Sequence, residues 1–140
     1  EIFEKAYGNF DSIFDSKNGG FGSAPKFPSP HNLLFLLNYY VRTGEGRSLE
    51  MVETTLTRMR NGGIFDHVGF GFHRYATDST WLVPHFEKML YDQSLLAMAY
   101  TAAYQLTDKA VYKQTVDEIF TYVLRDLTSN DASYISIRAW

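Results

Sequence analysis

The sequence predicts an all-α fold, a partial αα-toroid of about five helices joined by two long glycine-rich loops. Three observations point there. Apolar residues recur every three or four positions along most of the chain, the period of a helix with one buried face. No alternating apolar–polar run of strand length appears outside the loops. A helix–loop–helix unit of roughly 50 residues occurs twice with its long loop at the same end, as a toroid of stacked hairpins requires.

Phe3, Ala6, Phe10, Ile13 and Phe14 define a first helix over about residues 1–15. Residues 31–42 (HNLLFLLNYYVR) are apolar almost all round, so the second helix is expected to be buried on most faces. Leu49, Val52, Leu56 and Met59 place a third over residues 48–60. Phe86, Met89, Leu90, Leu96, Tyr100 and Ala103 suggest one long fourth helix over about residues 84–106. Val116, Ile119, Phe120, Val123 and Leu127 mark a fifth, with Asp108 as its expected N-cap. The short link Thr43-Gly44-Glu45-Gly46 belongs at the end opposite the long loops.

The loops carry more information than the helices. The first reads GGFGSAPKFPSPH (residues 19–31); the second opens Gly62-Gly63-Ile64-Phe65 and closes Leu82-Val83-Pro84-His85. Both open with Gly-Gly after a helix, and both close with Pro-His, where Pro fits an early helical position because its missing N–H costs nothing there. The openings stand 43 residues apart and the Pro-His pairs 54, so the second loop is 11 residues longer. Long loops in a compact domain are usually functional.

Composition narrows the function. The 140 residues are 45% hydrophobic and 21% charged, which is globular, and suit one domain. The net charge is −3 and the basic residues are scattered, which argues against nucleic acid as a partner. Apolar runs such as residues 33–37 fall far short of a bilayer span, so no membrane is expected as a partner. With no cysteine, the chain has no thiol chemistry of its own; a reducing, cytoplasmic setting suits it. His67 and His73 stand six apart without compact ligand spacing, so neither metal nor other cofactor is expected.

The second loop concentrates Asp66, His67, His73, Arg74, Tyr75, Asp78 and Trp81, and the following segment adds His85, Glu87, Lys88, Tyr91 and Asp92. On one continuous helix His85, Lys88 and Asp92 would share a face, as would Glu87 and Tyr91. For a sugar ligand, Trp81 or Tyr75 would stack on an apolar ring face, and Arg74 would bond hydroxyls or a carboxylate. Asp66, His67, Glu87 and Lys26 of the first loop are further candidates for binding. His73, His85 and Asp78 are the candidates for moving a proton near neutral pH. Asp66, Asp78 and Glu87 include the carboxyl pair that a glycosidase needs. Structural readings stand beside these. A histidine after proline suits a cap, Asp78 before Ser79-Thr80 suits an Asx turn, Arg74 and Glu87 suit an ion pair, and Lys88 and Asp92 a solvated pair.

Two segments carry a family resemblance. GGFGSAPKFP (residues 19–28) and GGIFDHVGFGFHRYATDSTWLVPHFEKMLYD (residues 62–92) closely resemble the spermatogenesis-associated protein 20 / YyaL family. The resemblance implies large proteins with a thioredoxin-like domain ahead of a six-hairpin, glycosidase-like toroid, of the kind found in N-acylglucosamine 2-epimerases. On it, residues 1–129 are the N-terminal part of the toroid, and residues 130–140, which depart from the family pattern, are an atypical tail. Two functions are then open: an epimerase, isomerase or hydrolase pocket for a small sugar, or a non-catalytic domain that binds a partner or braces its thioredoxin-like neighbour. Five helices of a ring would leave apolar ends, so the isolated chain is expected to self-associate through exposed helix faces and to be inactive alone.

Overall fold

The computed structural model describes residues 1–131 and 133–139, and of Ile137–Ala139 the backbone only. Of the expected tail, Ala132 and Trp140 lie outside the described residues. Five helices appear in order: α1 (Ile2–Ile13), α2 (Pro30–Thr43), α3 (Gly46–Asn61), α4 (Leu90–Thr107) and α5 (Ala110–Asp126). Two short strands, β1 (Glu87–Met89) and β2 (Ile137–Ala139), pair antiparallel with Lys88 opposite Arg138. The fold is all-α, as the periodicity predicts.

Local chemistry explains the ends of α2 and α3. Pro30 occupies the first turn of α2. Gly44, at φ 74°, closes the helix by donating to Tyr40 O at 2.8 Å, a left-handed cap that costs glycine little. The Glu45 carboxylate then accepts from Arg47 N at 3.2 Å and caps α3. At the next corner Asp108, expected to open α5, instead closes α4 at φ 55°, and Lys109 is the N-cap of α5. Asp tolerates the left-handed region well, so both roles suit it, and the backbone bond to Tyr104 O at 2.7 Å selects the closing one.

Helix α2 packs on α3 and α4, and α4 on α5. Leu33, Leu36 and Leu37, Met51, Val52, Leu56 and Met59, and Leu96, Ala99, Tyr100 and Ala103 meet in one core, each large side chain contributing about 1.5–3 kcal/mol on burial. The Tyr100 hydroxyl donates to Leu56 O at 2.7 Å, which satisfies its one polar atom inside the core. Among the described residues no helix is long and apolar enough to cross a membrane.

The expected long fourth helix is shorter at its start: α4 begins at Leu90. Residues ahead of it are extended because their backbone groups are bonded sideways. Pro84 bridges Ala76, His85 N donates to Tyr75 O at 2.9 Å, and β1 is paired with β2. His85, Lys88 and Asp92 therefore share no helix face, and neither do Glu87 and Tyr91. In the first loop Pro-His does open a helix; in the second it enters a strand-like segment.

The internal repeat is real but its register differs from the Gly-Gly alignment. Phe14 bridges Phe21 and Phe65 bridges Phe72, an offset of 51 residues. At that offset Asp15 N donates to Gly20 O and Asp66 N to Gly71 O, both at 3.0 Å. The matching glycines are Gly20 (φ 79°) and Gly71 (φ 80°), each pressed against a ring from later in the chain, Trp81 and Tyr122 respectively. Measured from this turn, the second loop reaches its Pro-His only 3 residues later than the first (54 against 51).

Candidate functional site

Each turn ends in a carboxylate–lysine clasp. Asp15 accepts from Lys17 N, Asn18 N and, at 2.5 Å, Lys26 Nζ, which also donates to Gly19 O at 2.8 Å. Asp66 accepts from Val68 N, Gly69 N and, at 2.7 Å, Lys88 Nζ, which also donates to Phe70 O at 2.8 Å. Lys26 is 1% exposed and Lys88 0%. Their ammonium groups lie 5.8 Å from the Trp81 ring and 4.5 Å from the Tyr122 ring. Burial acts to raise the carboxyl of Asp66, but Lys88 and the Gly69 and Val68 amides outweigh it and hold the pKa at about 2. The same balance holds Asp15 well below the usual carboxylate range. Lys26 thus faces inward rather than standing at a pocket rim, and Lys88 and Asp92 form no solvated pair.

Other loop residues are also engaged in shaping the turn. Asp78 accepts from Thr80 N and Oγ1, both at 2.6 Å, from Val83 N at 2.6 Å and from Leu82 N at 3.1 Å. These bonds overcome burial and keep its carboxyl well below its ordinary range. It forms the Asx turn that the sequence allows. Trp81 is buried at φ 66° and donates from Nε1 to Asn18 O at 2.9 Å, so its ring is not a stacking platform for a ligand. His67 is exposed, 3.0 Å from Gly62 O and 3.3 Å from Arg60 Nη1, with its ring edge-on to Phe65. Gln93, buried on α4, grips both the N–H and the C=O of Phe72, at 2.8 and 2.6 Å.

The remaining candidates gather on the other side of the loop. Tyr75 stacks on His85 with ring centroids 4.9 Å apart, and Phe27 packs on Tyr75 at 4.9 Å. Arg74 pairs with Glu87 Oε2 at 3.2 Å, and its backbone N–H donates to Glu87 O at 2.8 Å. His73 is buried with its ring edge against Phe86 at 5.2 Å. Burial first, and then the Lys88 charge, lower its pKa to about 4, so it is neutral at pH 7. Phe27 also lines a cleft of about 310 Å³, walled by Pro28, Ser29, Pro30 and His31 on one side and by Tyr91, Asp92 and Leu95 of α4 on the other. His73 Nδ1, Arg74 Nε and Asp92 Oδ2 are buried without a hydrogen-bond partner among the described residues. Clefts of about 600 and 560 Å³ lie elsewhere, between α3 and the second loop and between α1 and α2, but none of these three atoms belongs to their walls.

The sequence reading takes Asp92 for half of a solvated pair with Lys88 and assigns no binding role to it or to the first-loop wall at Phe27 and His31. A signal for Asp92 was present: it precedes Leu96, Ala99 and Ala103 at helical spacing, so the core-facing stripe of α4 runs through a carboxylate. Among the described residues no three His, Asp or Glu side chains cluster as metal ligands.

Helices zigzagging between short links at one end and long loops at the other, with a cleft at the loop end, define a segment of an αα-toroid. The solved structures agree on the fold. Cellobiose 2-epimerase from Bacillus thermoamylovorans superposes with a TM-score of 0.84 at 15% identity, over 99% of this chain and 40% of that one. A family 76 glycoside hydrolase from a bovine Bacteroides thetaiotaomicron strain does so at 0.69 and 16% identity, over 81% and 24%. No family model matches the chain. The chain belongs to the spermatogenesis-associated protein 20 family: it is 46% identical to the human protein of that name over 139 residues, 96% of this chain. It spans 18% of that relative's length.

Proposed function

We propose that this segment supplies part of the ligand pocket of a sugar-active toroid, of epimerase or isomerase type. The observation that carries the reading is that Tyr75 stacked on His85, the Arg74–Glu87 pair and buried His73 all belong to the second long loop and its exit, at the loop end of a fold shared with a cellobiose epimerase. In this reading Tyr75 offers a ring to an apolar sugar face, and Arg74 and Glu87 bond hydroxyls. Epimerisation beside a carbonyl breaks a C–H bond to give an enediolate and re-forms it on the opposite face, with no net oxidation. The imidazoles of His85 and neutral His73 are the groups for those proton transfers. Asp66, Asp78, Lys26 and Trp81 serve by fixing the loop, and His67 lies outside the pocket.

Calorimetric titration of a full-length family protein bearing this chain, with N-acetylhexosamines, hexoses and uronic acids, tests the reading. Binding that is lost in Tyr75→Ala, together with turnover lost in His85→Ala and His73→Ala, is expected. Absence of binding by every sugar, in a folded protein, refutes it.

The clasps favour a second reading, in which the loops form a structural ion-pair network and the domain braces a partner such as a thioredoxin-like neighbour. Alanine variants at His85 and Tyr75 would then leave any turnover intact and lower only the melting temperature.

A further inference from the structure

Asp92 stands in the first turn of α4 and is 6% exposed, on the stripe that continues through Leu96, Ala99 and Ala103. A carboxylate there is favoured by the helix dipole, yet its Oδ2 takes no bond from the amides of α4. Its Oδ2 has no partner, while Asp66 and Asp78, two loop carboxylates nearby in sequence, are saturated with donors. A buried carboxyl without a partner weakens a fold, and it persists where something outside the fold makes use of it. Asp92 also forms part of the cleft wall, facing Phe27, Pro30 and His31 across it. Burial pushes its pKa up to about 6; the Arg74 charge opposes this and the Glu87 charge adds to it.

We infer that Asp92 anchors the ligand of this cleft, its free Oδ2 accepting a hydroxyl from a neutral sugar. The inference rests on the carbohydrate reading above and narrows it to a class. Among the described residues no lysine or arginine lines the cleft, and Arg74, whose charge reaches Asp92, is already committed to Glu87. An acidic ligand would set two negative groups together in a low-dielectric site. Hexoses and N-acetylhexosamines fit; uronates and sugar phosphates do not. The hydroxyl hydrogen bond supplies the partner that Oδ2 lacks in the free protein.

The test is calorimetry on the same full-length protein with glucose, mannose, N-acetylglucosamine, glucuronate and glucose 6-phosphate. Neutral sugars should bind about tenfold or more tightly than the two acidic ones. Asp92→Leu, close in volume, should weaken binding by about tenfold or more. Its melting temperature should stay level or rise, because the unpaired carboxyl is gone. Asp92→Ala, which removes the acceptor without adding bulk, gives the same loss of binding should the leucine variant fail to fold. Neutral-sugar binding that survives both variants overturns this inference alone and leaves the pocket standing. Preference for the acidic sugars, or a melting temperature that falls in both variants while affinity holds, overturns it too. A folded wild-type protein that binds none of the five sugars removes both this inference and the carbohydrate reading.

Discussion

Removing either partner of the Asp66–Lys88 clasp should have unequal consequences. Lys88 is fully enclosed, with Nζ 2.7 Å from Asp66 Oδ2 and 2.8 Å from Phe70 O. Asp66→Ala removes the carboxylate bonded to the buried ammonium and frees the Val68 and Gly69 amides, and breaking a buried pair from one side costs about 3–5 kcal/mol. The carboxyl's own titration gives a consistent scale: a native pKa of about 2 against 3.8 is worth at most about 2 kcal/mol at neutral pH, less what solvent screens at this partly exposed group. Lys88→Met keeps most of the aliphatic volume, and Asp66, which is partly exposed, retains its two amide donors. Its cost should be about 1–2 kcal/mol. The assay is urea denaturation of both variants and of the double variant, in which the ammonium is absent and the loss should approach that of Lys88→Met plus the freed amides. Because the native Asp66 pKa is depressed, its stabilisation is present above pH 4 and lost as pH falls toward 2. Equal effects below about 1 kcal/mol for both single variants would show that the clasp does not hold the loop.

Three further outcomes follow from the same geometry. Gly71→Ala puts a Cβ 2.7 Å from the Tyr122 ring at φ 80°, whereas at Gly22 (φ 78°) the space is open, so thermal melts should show a loss for Gly71 larger than the roughly 1 kcal/mol of left-handed strain expected at Gly22. His73 has a native pKa of about 4 against 6.5, so its stabilisation is lost as pH falls from 6.5 to 4; Asp92, at about 6 against 3.8, contributes stability that is lost as pH rises from 4 to 6. The two nearly cancel in the wild type, and Asp92→Asn should expose a decline of about 1.4 kcal/mol per pH unit between pH 6 and 4.5, measured by denaturation at stepped pH. Phe3, Met98, Phe120 and Leu124 are exposed on helix faces, so light scattering should find the 140-residue chain self-associating at high concentration; a clean monomer would contradict this.

What the sequence determined by itself was the helical architecture and the repeat. Leu33, Leu36, Met51, Val52 and Leu56 sit where a 3.6-residue period puts them, because a helix buries a stripe whatever it packs against. Pro30 and Gly44 mark ends by constraints internal to the backbone. Asp78 formed its Asx turn for the same local reason. The tertiary structure decided the rest. Residues 84–89 carry helical periodicity, but His85 N bonds to Tyr75 O and β1 pairs with β2, which lies far along the chain, and so they extend. Lys88 and Asp92 stand four apart, as on a solvated face, yet one is drawn under Tyr122 by Asp66 and the other is left alone at a cleft wall. Trp81 reads as an aromatic platform only until Asn18, 63 positions earlier, takes its N–H. Periodicity reports which side of an element is apolar. Which charge is matched, and which is left waiting, depends on partners distant in sequence that only the closed fold brings within hydrogen-bonding range.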